Sequence, residues 1–131
     1  MQFKFIKDEK LKSEKEIKFL FNEGKSIFLH PLRLIYLFTP SNTHECKVLI
    51  SASKRNFKRA IDRNLLKRRI REAYRKNSLK LKQELKEKDY SARIAFIYSS
   101  PKIVEYKDIE QVVIRHLENI INKIPKSEEN I

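Results

Sequence analysis

Ser53-Lys54-Arg55-Asn56-Phe57-Lys58-Arg59-Ala60-Ile61-Asp62-Arg63-Asn64-Leu65-Leu66-Lys67-Arg68-Arg69-Ile70-Arg71-Glu72-Ala73-Tyr74-Arg75 is the stretch on which the reading of this chain turns. Residues 54–76 hold eleven Lys or Arg against two acids, a surplus of nine. From about Arg59 to Asn77 the pattern is helical. At about 100° per residue, Asn64, Arg68, Arg71 and Arg75 share a stripe about 60° wide. Leu66, Ile70, Ala73 and Tyr74 occupy a different face, about 100° wide, suited to packing on a sheet. A helix anchored by that face presents its guanidiniums as a fixed row. Arg offers planar bidentate donors to phosphate, and Asn64 can donate to phosphate or sugar. Only Asp62 and Glu72 offer compensating charge, so a merely solvated face would carry like-charge repulsion at i,i+3 and i,i+4. The row therefore points to a polyanion, and nucleic acid is the first candidate.

Outside this segment nineteen bases face fifteen acids, so it carries most of the formal net charge of +13. The 131 residues suit a single domain, 1–131, with a core of about 10–124 and a polar tail 125–131. Ser13-Glu14-Lys15-Glu16 has the form of a capping box, Ile17, Leu20 and Phe21 follow at helical spacing, and Gly24 stands where a C-cap belongs. This predicts a helix over 13–24. Pro31 interrupts the chain. Leu32 to Phe38 and Lys47 to Ala52 read as strands, and the Pro40-Ser41-Asn42 turn between them predicts an antiparallel hairpin. Residues 78–89 either continue the basic helix or form a charged connector. Arg93 to Tyr98 is a third strand. Ile109, Val112, Val113, Leu117, Ile120, Ile121 and Ile124 mark one face of a last helix. The order α-β-β-α-β-α predicts an α+β domain, a small sheet packed by helices.

Several function classes are excluded or disfavoured. The apolar runs, such as Leu34 to Phe38, are far too short to span a bilayer. Met1 to Lys12 carries alternating charge and no signal-peptide core. A cytoplasmic protein is expected. The single Cys46 cannot form an internal disulfide and has no metal-type partner in spacing, so it reads as a small residue at a strand start. His30, His44 and His116 share no spacing that suggests a site, and the acids are scattered. No catalytic residue and no metal ligand is assigned.

The basic segment resembles the signature of the bacterial ribonuclease P protein family. Its pattern is Ser-Lys-Lys/Arg, a short spacer, Arg/Lys or a small residue, Ala, an aliphatic, any residue, Arg-Asn-Arg, an aliphatic, Lys-Arg, and two residues later Arg-Glu-Ala-aromatic. Ser53-Lys54-Arg55, Lys58 to Arg68 and Arg71 to Arg75 match it closely. Phe21-Asn22-Glu23-Gly24-Lys25 also looks like the family's aromatic-x-x-Gly-Lys end to its first helix. The similarity covers roughly residues 10–124. In one place the chain departs: the family's Arg-Asn-Arg reads Arg63-Asn64-Leu65. Leu65 lies outside both the polar stripe and the main apolar face and takes no role. The spacing around Asn56-Phe57 allows one inserted residue, where many members have a Gly.

The resemblance implies a ribosomal-protein-like fold with a left-handed βαβ crossover feeding the basic helix. It implies a non-catalytic subunit of an endoribonuclease that matures tRNA 5′ ends, a monomer in a 1:1 ribonucleoprotein with the catalytic RNA of ribonuclease P. That RNA carries the chemistry and uses Mg2+; the protein itself binds no cofactor. The RNA-binding residues would be Lys54, Arg55, Lys58, Arg59, Arg63, Asn64, Lys67, Arg68, Arg71 and Arg75. The resemblance also implies a cleft between the sheet and the first helix for the 5′ leader of precursor tRNA. Candidates to line it are Ile17, Phe21, Tyr36 and Phe38, with Tyr98 in reserve. Alternating strand parity allows only one of the pairs Tyr36/Phe38 and Ile35/Leu37 to face it. Two rival readings stand beside this one. A ribosomal or general structured-RNA binder would not distinguish leader-bearing from mature tRNA. A binder of anionic membranes would hold liposomes in excess RNA.

Overall fold

A computed structural model describes residues 9–125. In chain order the elements are α1 (Glu14–Glu23), β1 (Lys25–Leu29), β2 (Leu32–Pro40), β3 (Cys46–Ala52), α2 (Ala60–Asn77), α3 (Leu79–Lys88), β4 (Tyr90–Tyr98) and α4 (Tyr106–Ile121). The strands form one mixed sheet in the order β1-β2-β4-β3. The α+β class holds, with one more strand and one more helix than the sequence predicts. Met1 to Asp8, and the tail beyond Pro125, lie outside the described residues.

The α1 helix begins as its sequence asks: the Ser13 hydroxyl accepts from the Glu16 amide at 3.3 Å. It ends at Gly24 because the backbone there runs against the sheet. A Cβ at Gly24 would lie 2.5 Å from the Leu20 carbonyl oxygen and 2.8 Å from Ile35 Cγ2. Pro31 does not interrupt the chain but turns it: His30-Pro31, a cis peptide, joins β1 to β2 as an antiparallel hairpin. The strand Lys25–Leu29 escapes a pattern reading because it is short and lies at the sheet edge, half exposed.

The expected hairpin of β2 with β3 is not formed. β4 lies between them, antiparallel to β2 and parallel to β3. The reason is burial. β4 is covered on both faces, with Ala92, Ile94 and Phe96 on one side and Ala95 on the other, all fully buried. A strand buried on both faces belongs at the sheet centre. β3, carrying Lys47, takes the edge, and the extended N-terminal segment runs beside it through a parallel bridge of Lys10 with Val48.

The main core lies between the sheet and α2, α3 and α4. Leu66, Ile70, Ala73 and Tyr74 are its α2 contribution, all fully buried. Burying a side chain the size of Leu or Ile is worth about 1.5–3 kcal/mol, so this face holds the basic helix firmly. Residues 78–89 resolve into the separate helix α3, with Ser78 at the break and Leu81 and Leu85 in the core. On α4, Ile109, Val113, Leu117 and Ile120 are buried, together with His116. Cys46 opens β3 and is buried, its Sγ 3.1 Å from the Tyr74 hydroxyl oxygen; burial pushes its thiol up to about 11. On the other face of the sheet α1 packs alone. Leu11, Leu20, Ile35 and Ala95 form a small second core there, with Ile17, Leu37, Leu49 and Ile97 around it.

Candidate nucleic-acid interface

The loop after β3 and the helix it feeds hold the concentrated charge. The Ser53–Lys58 loop is fixed at several points. The Ser53 hydroxyl accepts from the Arg55 amide at 2.9 Å, and the Phe57 amide donates to the Ser53 carbonyl at 3.0 Å. Phe57 is buried against Tyr98, ring centroids 5.8 Å apart. Lys54, Arg55 and Lys58 stand exposed on this anchored loop.

On α2 the two faces separate as the helical phase predicts. Asn64 and Arg68 are exposed and Arg71 and Arg75 half-buried, while the four apolar residues of the opposite face are buried. Among the described residues, Lys54, Arg55, Lys58, Lys67 and Arg68 have no ion-pair partner. Their like charges stay uncompensated, as expected of a surface built for an anion.

Among the ten predicted RNA-binding residues, Arg63, Arg75 and Arg59 have structural partners. Arg63 Nη1 donates to the carbonyls of Phe57 at 2.7 Å and Lys58 at 2.9 Å. Its angle on the helix falls between those of Ile70 and Tyr74, so its side chain turns inward to the loop. Arg75 pairs with Glu72 through Nε to Oε2 at 3.0 Å, and that hydrogen bond holds the Glu72 carboxyl below its ordinary value. Arg59 pairs loosely with Asp62 at 3.6 Å. Arg69 is likewise structural, donating to the Val104 carbonyl at 2.7 Å.

Tertiary structure adds cations to the interface that sequence reading passed over. Lys10 and Lys12, from the segment beside β3, join Lys67 and Arg71 around a groove of about 200 Å³. Neither lysine belongs to the basic run; the Lys10–Val48 bridge, the Leu11 amide donating to the Val48 carbonyl at 3.0 Å and the burial of Leu11 under α1 bring them there. No phase or spacing in the sequence carries that signal.

A second groove, of about 390 Å³, lies between α1 and the sheet. Lys15, Glu16, Phe19, Leu37, Thr39 and Arg93 line it. Arg93 joins its walls, donating through Nε to Glu16 at 2.8 Å and through Nη2 to Glu45 at 3.0 Å. The four cleft candidates fare unequally. Ile17 packs in the small core under α1, and Phe21 is exposed on the helix. Tyr36 and Phe38 are corrected: both pack on the main core, on the face turned away from α1, their rings 5.5 Å apart. Strand parity decides it, because Ile35 and Leu37 take the α1 side. Phe19, 55% exposed at the groove, is the aromatic that the sequence reading missed. It sits two residues from Ile17, off the apolar stripe, and strand or helix periodicity gives it no reason to be noticed. Tyr98 is buried, its hydroxyl donating to the Lys102 carbonyl and accepting from the Val104 amide at 3.0 Å.

Comparison with known proteins bears on this arrangement. The ribonuclease P family model matches residues 5–124. The chain belongs to the ribonuclease P protein family. It is 35% identical to the ribonuclease P protein component of Porphyromonas gingivalis over 126 residues, 95% of this chain and 92% of that one. Solved ribonuclease P proteins share the fold. That of Thermotoga maritima superposes with a TM-score of 0.62 at 21% identity, covering 89% of this chain and 98% of that one. That of Staphylococcus aureus gives a TM-score of 0.60, also at 21% identity, covering 87% and 95%. Membership in this family makes the protein part of an RNA-processing ribonuclease. Among the described residues no helix is long and apolar enough to cross a membrane, and no group of His, Cys, Asp or Glu is arranged to hold a metal ion.

Proposed function

We propose that the protein is the non-catalytic subunit of a cytoplasmic ribonuclease P, binding the catalytic RNA and the single-stranded 5′ leader of precursor tRNA. One observation carries the reading. A concentrated set of cations, of which Lys54, Arg55, Lys58, Lys67 and Arg68 have no ion-pair partner among the described residues, is presented by a loop and a helix whose opposite face is locked in the core, in a chain of the ribonuclease P protein family. Lys54, Arg55, Lys58, Asn64, Lys67, Arg68 and Arg71 contact phosphates of the catalytic RNA. Lys10 and Lys12 extend that surface around β3. Arg63 acts one step back, by holding the loop that carries Lys54 and Arg55. A single strand lies along the groove between α1 and the sheet, where Phe19 offers a stacking face and Lys15 a charge.

The protein's part is electrostatic and geometric. Two RNAs brought together repel through their phosphates, and a surface of fixed cations offsets that repulsion without reorganising. Phosphodiester cleavage belongs to the RNA partner and its Mg2+, in a 1:1 ribonucleoprotein. Reconstitution tests the reading: purified protein, cognate ribonuclease P RNA and precursor tRNA, assayed at low magnesium. The expected result is protein-dependent 5′ processing and a lower magnesium requirement. A protein that neither binds the RNA nor lowers that requirement refutes it. Equal affinity for mature and leader-bearing tRNA would favour a general structured-RNA binder instead.

A further inference from the structure

One row of the sheet on the α1 side has its β1–β2 end, Phe28 and Arg33, exposed, while its Ile97 packs at the edge of the small core under α1. The register aligns Phe28 on β1, Arg33 on β2, Ile97 on β4 and Ser51 on β3. α1 lies over the neighbouring rows. Its Glu16 reaches Arg93, and its Leu20 and Gly24 sit on Ile35, one row short of Arg33. Phe28 is therefore 45% exposed on a strand, where a large aromatic gains little from the core. It is also not loose. The Arg33 guanidinium lies over its ring, 5.2 Å from the centroid, and Arg33 Nη1 is held by the Ser26 hydroxyl at 2.9 Å.

We infer that Phe28 and Arg33 form a stacking platform for an unpaired nucleotide of bound RNA, beyond the end of the α1 groove. A ring with a guanidinium fixed beside it offers a base a flat π surface and a positive charge for the adjoining phosphate. Bases stack on both kinds of plane, and stacking tolerates any base. The row leads to the basic surface. It crosses three strand spacings, about 14 Å, from Phe28 to Ser51, and Ser53 opens the basic loop two residues on. A strand lying on the row thus runs from an aromatic–guanidinium pair toward Lys54 and Arg55. Charge complementarity selects RNA as the occupant: the row carries Arg33 and no acid, on a chain of net charge +13. The inference rests on the proposed role as an RNA-binding subunit and adds a named contact to it.

The experiment uses the reconstituted ribonucleoprotein and precursor tRNAs with leaders of increasing length, each carrying 2-aminopurine at one leader position. Wild type should show an affinity step at one leader length and a fluorescence change at that position. Phe28→Ala and Phe28→Leu should lose the step, by about 5- to 150-fold in Kd. Phe28→Tyr should keep both signals, and Arg33→Gln should weaken them. Binding of the catalytic RNA itself should be unchanged in every variant. If Phe28→Leu keeps the full step, apolar bulk rather than stacking is at work and the inference falls. It falls equally if Phe28→Ala leaves RNA affinity intact but abolishes a concentration-dependent dimer. A wild-type complex blind to leader length would overturn the leader reading together with the platform; a leader-sensitive wild type matched by Phe28→Ala would overturn the platform alone.

Discussion

Arg63 donates from Nη1 to the main-chain oxygen of Phe57 at 2.7 Å, tying the first turn of the basic helix to the loop before it. The same nitrogen also reaches the Lys58 carbonyl. Charged hydrogen bonds of this kind are worth about 1.5–3 kcal/mol each where they are shielded. Arg63 is half-buried, so its replacement by Ala is expected to cost about 1–2 kcal/mol in urea unfolding. Its loss should loosen Lys54 and Arg55 and weaken RNA binding, with the salt slope of binding little changed. A normal melting curve for Arg63→Ala would show that the clamp does not hold the loop.

Arg68 is the counter-case. It is exposed and has no ion-pair partner among the described residues. Arg68→Gln should leave the unfolding midpoint unchanged, since surface substitutions stay within about 0.5 kcal/mol. Binding to the catalytic RNA should lose one phosphate contact. The slope of log K against log salt should then fall by roughly 0.7–0.9. Titrations at four or five salt concentrations read this directly, and an unaltered slope would remove Arg68 from the interface.

Tyr36 and Phe19 should separate stability from leader binding. Tyr36 is buried in the main core, and truncating an aromatic there to Ala costs about 3–5 kcal/mol. Phe19 is exposed at the α1 groove, so Phe19→Ala should fold normally but lower affinity for leader-bearing tRNA. Chemical denaturation and leader-dependent binding, measured on both variants, give the two readouts. A destabilised Phe19→Ala with unchanged leader affinity would reverse the assignment.

His116 sets a pH dependence on folding. Its Nε2 meets the Leu32 carbonyl oxygen at 2.9 Å, so that nitrogen carries the proton, and its buried Nδ1 has no hydrogen-bond partner. Burial pushes the imidazole below its ordinary value, outweighing the hydrogen bond to Leu32. Above pH about 6.5 both folded and unfolded chains carry it neutral. Below that, the unfolded chain takes up a proton that the folded chain refuses, so this residue's contribution to stability falls until the depressed folded value is reached. His116→Met should cost about 1–3 kcal/mol at neutral pH, because the Leu32 carbonyl loses its donor. It should also flatten the decline of stability below pH about 6.5. Urea titrations across that range check both, and an unchanged decline would place its origin elsewhere.

Much of the interface was legible along one helix. The phases of Leu66, Ile70, Ala73 and Tyr74 against Asn64, Arg68, Arg71 and Arg75 follow from 3.6 residues per turn alone. The burial of the first four matches that phase. The same arithmetic, applied to Arg63, places it on the inward side, a point that charge counting obscured. The α1 helix and its capping serine were equally local. What misled was pairing. The turn at Pro40 to Asn42 marks a change of direction, but not which strand lies alongside. Tyr36 and Phe38 show the same limit: parity puts them on one face together and cannot say which face carries α1.

Sequence by itself determined the basic helix, its two faces, the family and the α+β class, because each rests on neighbours within a few turns or on a contiguous motif. Only tertiary structure decided that β4 enters between β2 and β3, that Lys10 and Lys12 join Lys67 and Arg71, and that Phe28 and Arg33 stand exposed beyond the reach of α1. Those facts depend on contacts between distant segments. They are fixed by which strand can be buried on both faces and how far one short helix reaches across the sheet, and no local period encodes either.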